Sequence, residues 1–384
     1  MGAMDELINP TVVAALRGSL TRVAPTHELD ALAAAPAALP GLRLRERVNL
    51  VRDALLADIP GGFATGKKIV LDLVDDPQFA GWMIWPVTEF VTARALESGT
   101  SADFDAAMAL LARLTVGLTG EFAVRDLLIA RPERGVQIMQ TWTDHSNEHV
   151  RRLATEGSRA FLPWARRVPW LIAHPEATQG ILDASYRDPA VYVRRSVANH
   201  LNDLSRIDAD VVTRTATGWA AEPDANTPWV LRHGLRTLIK RADPVALGLT
   251  GYTGGHLRVF APEVGSLIVN WGGELTFTTV ITNDGDTDAT VAIDYSIGFL
   301  RANGSANPKT FELGSRRLPP NATVVITKTH SFRPITTRTY YPGPHWLTVQ
   351  ANGVLSPRAA FNLDAKGGQS LDTRATIARL EAHG

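Results

Sequence analysis

Apolar residues recur at helical spacing through the first two thirds of the chain. "LRLRERVNLVRDALLADIP" (42–60), "AAMALLARLTVGL" (106–118) and "DADVVTRTATGWAA" (208–221) each set apolar side chains three and four positions apart. That is the period of a helix burying one face. Pro, Gly and Asp punctuate the segments, and no run before about residue 250 alternates convincingly as a strand. After "LGLTGYTGG" (247–255) the period changes to two. "SLIVNWGGELTFTTVITNDGDTDATVAIDYSIGFL" (266–300) reads as two strands broken at "NDGDTD". "SRRLPPNATVVITKTHSF", "HWLTVQANG" and "SPRAAFNLD" continue the pattern. Six or seven short strands over about 110 residues predict an immunoglobulin-like β-sandwich. The expected division is a helical domain over 5–250, a sandwich over 255–366 and a polar, helix-like tail over 367–384. The opening "MGAM" reads as a cloning remnant and is set aside.

The helical part repeats itself. "DHSNEHVRRLATEG" (144–157), "DPAVYVRRSVANHL" (188–201) and "DANTPWVLRHGLRTL" (224–238) align on Val150, Val193 and Val230, at spacings of 43 and 37 residues. This is the length and texture of HEAT-type helical pairs, in which each unit leaves an apolar face for the next to cover. The expected fold is therefore an all-α HEAT-like solenoid followed by an all-β sandwich. Each copy carries an arginine two positions after its valine: Arg152, Arg195 and Arg232. Stacked repeats would bring these three into one row, which favours a phosphate-bearing partner.

Composition sets limits. Of 384 residues, 45% are hydrophobic and 20% charged, and 39 Lys/Arg balance 39 Asp/Glu. Nothing global announces nucleic acid, but the charge is uneven. Residues 1–150 hold 13 Lys/Arg against 19 Asp/Glu, and residues 151–241 hold 14 against 9. A basic segment in a neutral chain suits a local anionic partner. The absence of cysteine excludes disulfides, thiolate metal sites and cysteine nucleophiles. No leader-like or membrane-length apolar segment is found, so a cytoplasmic protein is expected.

Few motifs carry chemistry. "GGFATGKK" (61–68) misses the phosphate-loop pattern, because Lys68 stands where a hydroxyl must meet Mg²⁺ and no strand precedes it. No histidine pair has zinc-ligand spacing and no nucleophile elbow occurs, so neither metal nor cofactor is expected. What remains is acids and tryptophans. In "EHVRRLATEGSRAFLPW" (148–164), Arg152, Glu156 and Arg159 share the helix face opposite Val150 and Leu153. The ordinary reading is a solvated, salt-bridged face. The alternative is a phosphate surface with one acid placed for chemistry. Glu121 reads equally as an acid at a helix start, with Arg125 one turn on. Asp203 reads as a polar loop residue, and Trp164 as packing.

"LTGEFAVR", "EHVRRLATEGSRAFLPWA", "ANHLNDLSR" and "WVLRHGLRTLIKRADPVAL" together resemble the AlkC branch of the AlkC/AlkD DNA-alkylation-repair glycosylases, over about residues 5–245. Many AlkC-type proteins carry an Ig-like domain after the repeats. The resemblance implies hydrolysis of the N-glycosidic bond of cationic alkylated purines, 3-methyladenine above all, in duplex DNA, without flipping the base into a pocket. It implies that Glu121, Glu156 and Asp203 surround the lesion's deoxyribose, with Trp164 as an aromatic contact. It casts Arg152, Arg159 and Arg195 as backbone clamps, and the repeat alignment adds Arg232 to the expected DNA contacts. The "TTRTYYPGPH" turn (336–345), with Arg338, Tyr340 and Tyr341, is similar to a loop presented toward the minor groove. A monomer acting on double-stranded DNA in the nucleoid is expected. The competing expectation is a non-catalytic HEAT scaffold binding DNA or protein, since fold alone does not fix activity. A weaker one is that the sandwich binds a protein or carbohydrate ligand.

Overall fold

The structure is a computed structural model and describes residues 4–254 and 256–365. The expected tail over 367–384 lies outside the described residues. The chain folds as two compact units, Met1–Gly234 and Leu235–Gly384. Among the described residues every helix precedes every strand.

The first unit is a succession of short helices whose ends are written locally. Asn9 caps Pro10–Val23 by accepting from the Val12 N–H, and Thr100 caps Ser101–Leu114 by accepting from the Asp103 N–H. Gly99, at φ 67°, ends the helix Ile84–Ser98 in the left-handed conformation that glycine adopts without strain. Asn147 caps Glu148–Gly157. Val150, Leu153 and Ala154 of that helix join a buried cluster with Leu111, Val124, Leu127 and Met139. The last helical position, Gly157, sits so close to its neighbours that a Cβ there would lie 2.9 Å from Val124 Cγ1. The helix Val191–Leu204 packs between Glu148–Gly157 on one side and Thr227–Gly234 on the other. The three repeat copies therefore lie as neighbours. No described helix is long and apolar enough to cross a membrane.

In the second unit, the short helices Arg236–Lys240 and Pro244–Leu249 group with the strands. The Gln350 side chain donates to the Lys240 carbonyl at 2.8 Å, and Thr253 bridges to Thr290. The strand Glu274–Asn283 pairs with Leu257–Val259, Glu263–Val264 and Thr323–Ser331 in one sheet. The other sheet runs Ile268–Val269, Ala359–Leu363, Gly343–Ala351, Ala289–Leu300, Ala306–Leu318. Pairing is antiparallel except between Ile268–Val269 and Ala359–Leu363. In Glu274–Asn283 the residues Leu275, Phe277, Thr279 and Ile281 point inward, while Thr276 and Thr278 face out and hydrogen-bond to Thr329 and Thr327. The strand Ala306–Leu318 begins before the stretch that the sequence pattern marks, because an edge strand with one half-exposed face has weak alternation.

Candidate active site

Three elements converge on one polar seam. Glu121 stands in the turn leading into the helix Val124–Ala130, Glu156 lies near the end of Glu148–Gly157, and Asp203 is the penultimate residue of Val191–Leu204. Two arginines join the three acids. Arg152 bonds to the Glu121 carboxylate and to the Thr119 hydroxyl (2.9 Å), and lies 3.5 Å from Glu156 Oε1. Arg159 donates Nη1 to Glu156 Oε1 at 2.6 Å and Nε to Asp203 Oδ2 at 2.8 Å. The resulting chain runs Glu121–Arg152–Glu156–Arg159–Asp203. Glu156, on the last turn of its helix, and Arg159, two residues beyond the helix end, both meet Val191–Leu204 and are buried there, so the solvated salt-bridge reading does not hold for these two residues.

The surroundings separate the acids. Burial acts to raise the Glu156 carboxyl, but Arg152, Arg159 and the Ser196 hydroxyl, which donates to Oε2 at 2.6 Å, outweigh it and hold the group below its ordinary value. Burial pushes the Asp203 carboxyl up, against the pull of Arg159. Burial also opposes the Arg159 charge, yet Asp203 and Glu156 raise the guanidinium overall. One acid is held firmly ionised and the other is made more basic.

The arginine expectations divide. Arg195 and Arg232 are exposed and have no ion pair among the described residues. Arg159, expected as a backbone clamp, is only 7% exposed and bridges two acids. Its reach to Asp203, 44 positions away, decides its burial, and no local pattern encodes that contact. Arg152 is largely enclosed as well, with its guanidinium 5.1 Å from the Tyr192 ring.

Trp164 is 87% exposed, with φ at 62°, a conformation unfavourable for a bulky residue. It is therefore not a packing tryptophan. It walls a recess with Arg45, Asn49, Arg52, Phe122 and Arg166. What fixes its loop is Arg125, whose sequence context suggests no more than a partner for Glu121. Arg125 is 1% exposed and donates to the carbonyls of Gly157, Arg159 and Arg166. Burial, then the Arg159 charge, push it down to about 10. His200 carries no sequence signal at all. Fully buried, it joins Thr155 to Thr178 and so ties the helix of Glu156 to that of Asp203.

In the sandwich, Tyr340, expected as a DNA contact, lies in the core: its ring packs 5.6 Å from Phe332 and 5.8 Å from Phe299. Arg338 is half-buried, its guanidinium 4.1 Å from the Phe299 ring, and Tyr341 is half-buried. Among the described residues no three ligating side chains converge on a metal site.

HEAT-like helical repeats that carry an acid–arginine seam, followed by an Ig-like sandwich, define the class. Residues 258–365 match the family described as uncharacterised protein YhaZ, C-terminal Ig-like domain. The chain is 33% identical over 327 residues to uncharacterized protein YhaZ of Bacillus subtilis (strain 168), a match that spans 84% of this chain and 88% of that protein. It superposes with a TM-score of 0.84 and 31% identity on the alkylpurine DNA glycosylase AlkC of Pseudomonas fluorescens, solved bound to DNA containing an abasic site analog. That match covers 95% of this chain and 100% of the other. The chain belongs to the AlkC-type family of DNA-alkylation-repair glycosylases with a C-terminal Ig-like domain.

Proposed function

We propose that this protein is a DNA glycosylase that hydrolyses the N-glycosidic bond of cationic alkylated purines in duplex DNA, with 3-methyladenine preferred. The observation carrying this reading is the Glu121–Arg152–Glu156–Arg159–Asp203 chain, in which two guanidiniums bridge three carboxylates within one seam. A purine methylated at N3 is already positive, so it departs with the bonding electron pair and needs little help from an acid. The demanding species is the oxocarbenium-like sugar left behind. Carboxylates held in a partly dry seam stabilise that cation, with orientation fixed before the bond breaks.

Roles follow from the local chemistry. Glu156, held ionised, supplies fixed negative charge. Asp203, more basic than an ordinary carboxylate, accepts the proton of the attacking water as its oxygen bonds to C1′. Arg159 keeps the two acids in register. Trp164 lies against the lesion's sugar or charged base, engaging it without enclosing the base in a pocket. Arg195 and Arg232 hold flanking phosphates. The substrate places this work at the nucleoid, and a monomer suffices for it.

A non-catalytic scaffold draws on one observation: each acid already holds a guanidinium, as a structural ion network would. Base release separates the two readings. Incubation with duplex containing 3-methyladenine should free the base well above the spontaneous rate, and Glu156→Gln should abolish most of that release while still binding the duplex. Release no faster than without protein would refute the enzymatic reading.

A further inference from the structure

The repeat alignment carries a second column besides the arginines. Immediately before Val150, Val193 and Val230 stand His149, Tyr192 and Trp229, so each copy reads aromatic–Val–x–Arg. The ring and the arginine are three positions apart and share a helix face. The three helices are neighbours, with Val191–Leu204 in the middle. His149 and Tyr192 meet edge to face at 5.6 Å, and Tyr192 lies beside Arg152 of the acid seam. Trp229 stacks on His233 of its own helix at 5.2 Å, with the rings 6° from parallel, and His233 reaches Asn199 on the middle helix at 3.1 Å. Despite these supports, Tyr192 is 41% and Trp229 44% exposed. Rings held rigidly from behind and left open in front are built for contact, because packing alone would have covered them.

We propose that His149, Tyr192 and Trp229 form an aromatic rail that packs against the deoxyribose units of one DNA strand, while Arg195 and Arg232 take the phosphates of that strand. This rests on the glycosylase reading and extends the contact surface from the acid seam to the third repeat. The Tyr192 and Trp229 ring contacts add affinity without releasing counterions, so they and the arginines differ in salt dependence.

The test is fluorescence anisotropy over a range of salt, using a duplex that carries a tetrahydrofuran abasic-site analogue. Trp229→Ala should weaken binding by about tenfold with the salt slope unchanged. Trp229→Phe should stay within about twofold of the parent, and Trp229→Leu, which keeps apolar bulk without a ring face, should resemble Ala. In base release, Trp229→Ala should raise KM and leave kcat alone. Leucine binding like phenylalanine, or alanine binding like the parent, would overturn the rail. A parent protein that neither binds the duplex nor releases base would overturn the functional reading itself, which is a different failure.

Discussion

Acid should loosen the joint between the helices of Glu156 and Asp203 through His200. The ring is fully buried, and because a carbonyl can only accept, Nδ1 carries the proton given to Thr155 O (2.9 Å) while Nε2 accepts from the Thr178 hydroxyl (3.1 Å). Burial is the main force lowering its pKa from 6.5 to about 4. Arg159 and Arg125 add to the effect, while the Thr155 hydrogen bond and Glu156 oppose it. A base depressed in the folded state contributes stability that is complete above the unfolded value of 6.5 and is lost as pH falls through about 4. Between those limits the loss amounts to about 3 kcal/mol, of which about 2 kcal/mol is gone by pH 5. Neighbouring acids do not mimic this. Glu156 is held below its ordinary value of 4.5, so its contribution is lost only as pH falls below about that value, and Asp203, being raised, works in the opposite sense. Urea unfolding at pH 7.5, 6, 5 and 4.5 should show this loss in the parent. His200→Asn should be less stable at pH 7.5 but lack that part of the slope. An NMR titration placing the His200 midpoint near 6.5, or identical slopes in both proteins, would refute the reasoning.

Three further outcomes follow. Trp164→Gly removes an exposed ring and relaxes a left-handed backbone, so the melting temperature should hold or rise while base release falls. Arg195→Ala and Arg232→Ala should each weaken duplex binding and reduce the salt slope by about 1, with far-UV dichroism unchanged. In the sandwich, a Cβ at Gly298 would overlap the Trp346 indole. Gly298→Ala should therefore destabilise that unit by about 2 kcal/mol or more, read as an earlier loss of strand signal on heating.

Much of the fold is legible in the sequence because its periods are strong. The 3.6-residue pattern marks the helices, and strands such as Glu274–Asn283 alternate cleanly. Repeat spacing makes neighbours of Val150, Val193 and Val230. The site is legible in part. Glu121, Glu156 and Asp203 can be named from motifs, but their union depends on Arg152 and Arg159 reaching across helices, and no local pattern encodes that reach. Arg125 looks like an ordinary helical arginine. Only the folded chain shows the carbonyls of Gly157, Arg159 and Arg166 ending on its guanidinium. His200 is silent because a lone histidine on an amphipathic helix carries no spacing signal. Tyr340 is named only through the resemblance, and the packing of its ring on Phe332 is a contact no local pattern encodes.

The most direct measurement is the single-turnover rate of base release by Asp203→Asn at saturating protein, compared with the parent on the same 3-methyladenine duplex. Asparagine keeps the side-chain shape and an acceptor for Arg159 but cannot take a proton from water. We expect the rate to fall by about 10² or more while affinity for an abasic-analogue duplex stays within a few fold. An asparagine variant that releases base at the parent rate would contradict the assignment of the acid seam as the place where the bond breaks.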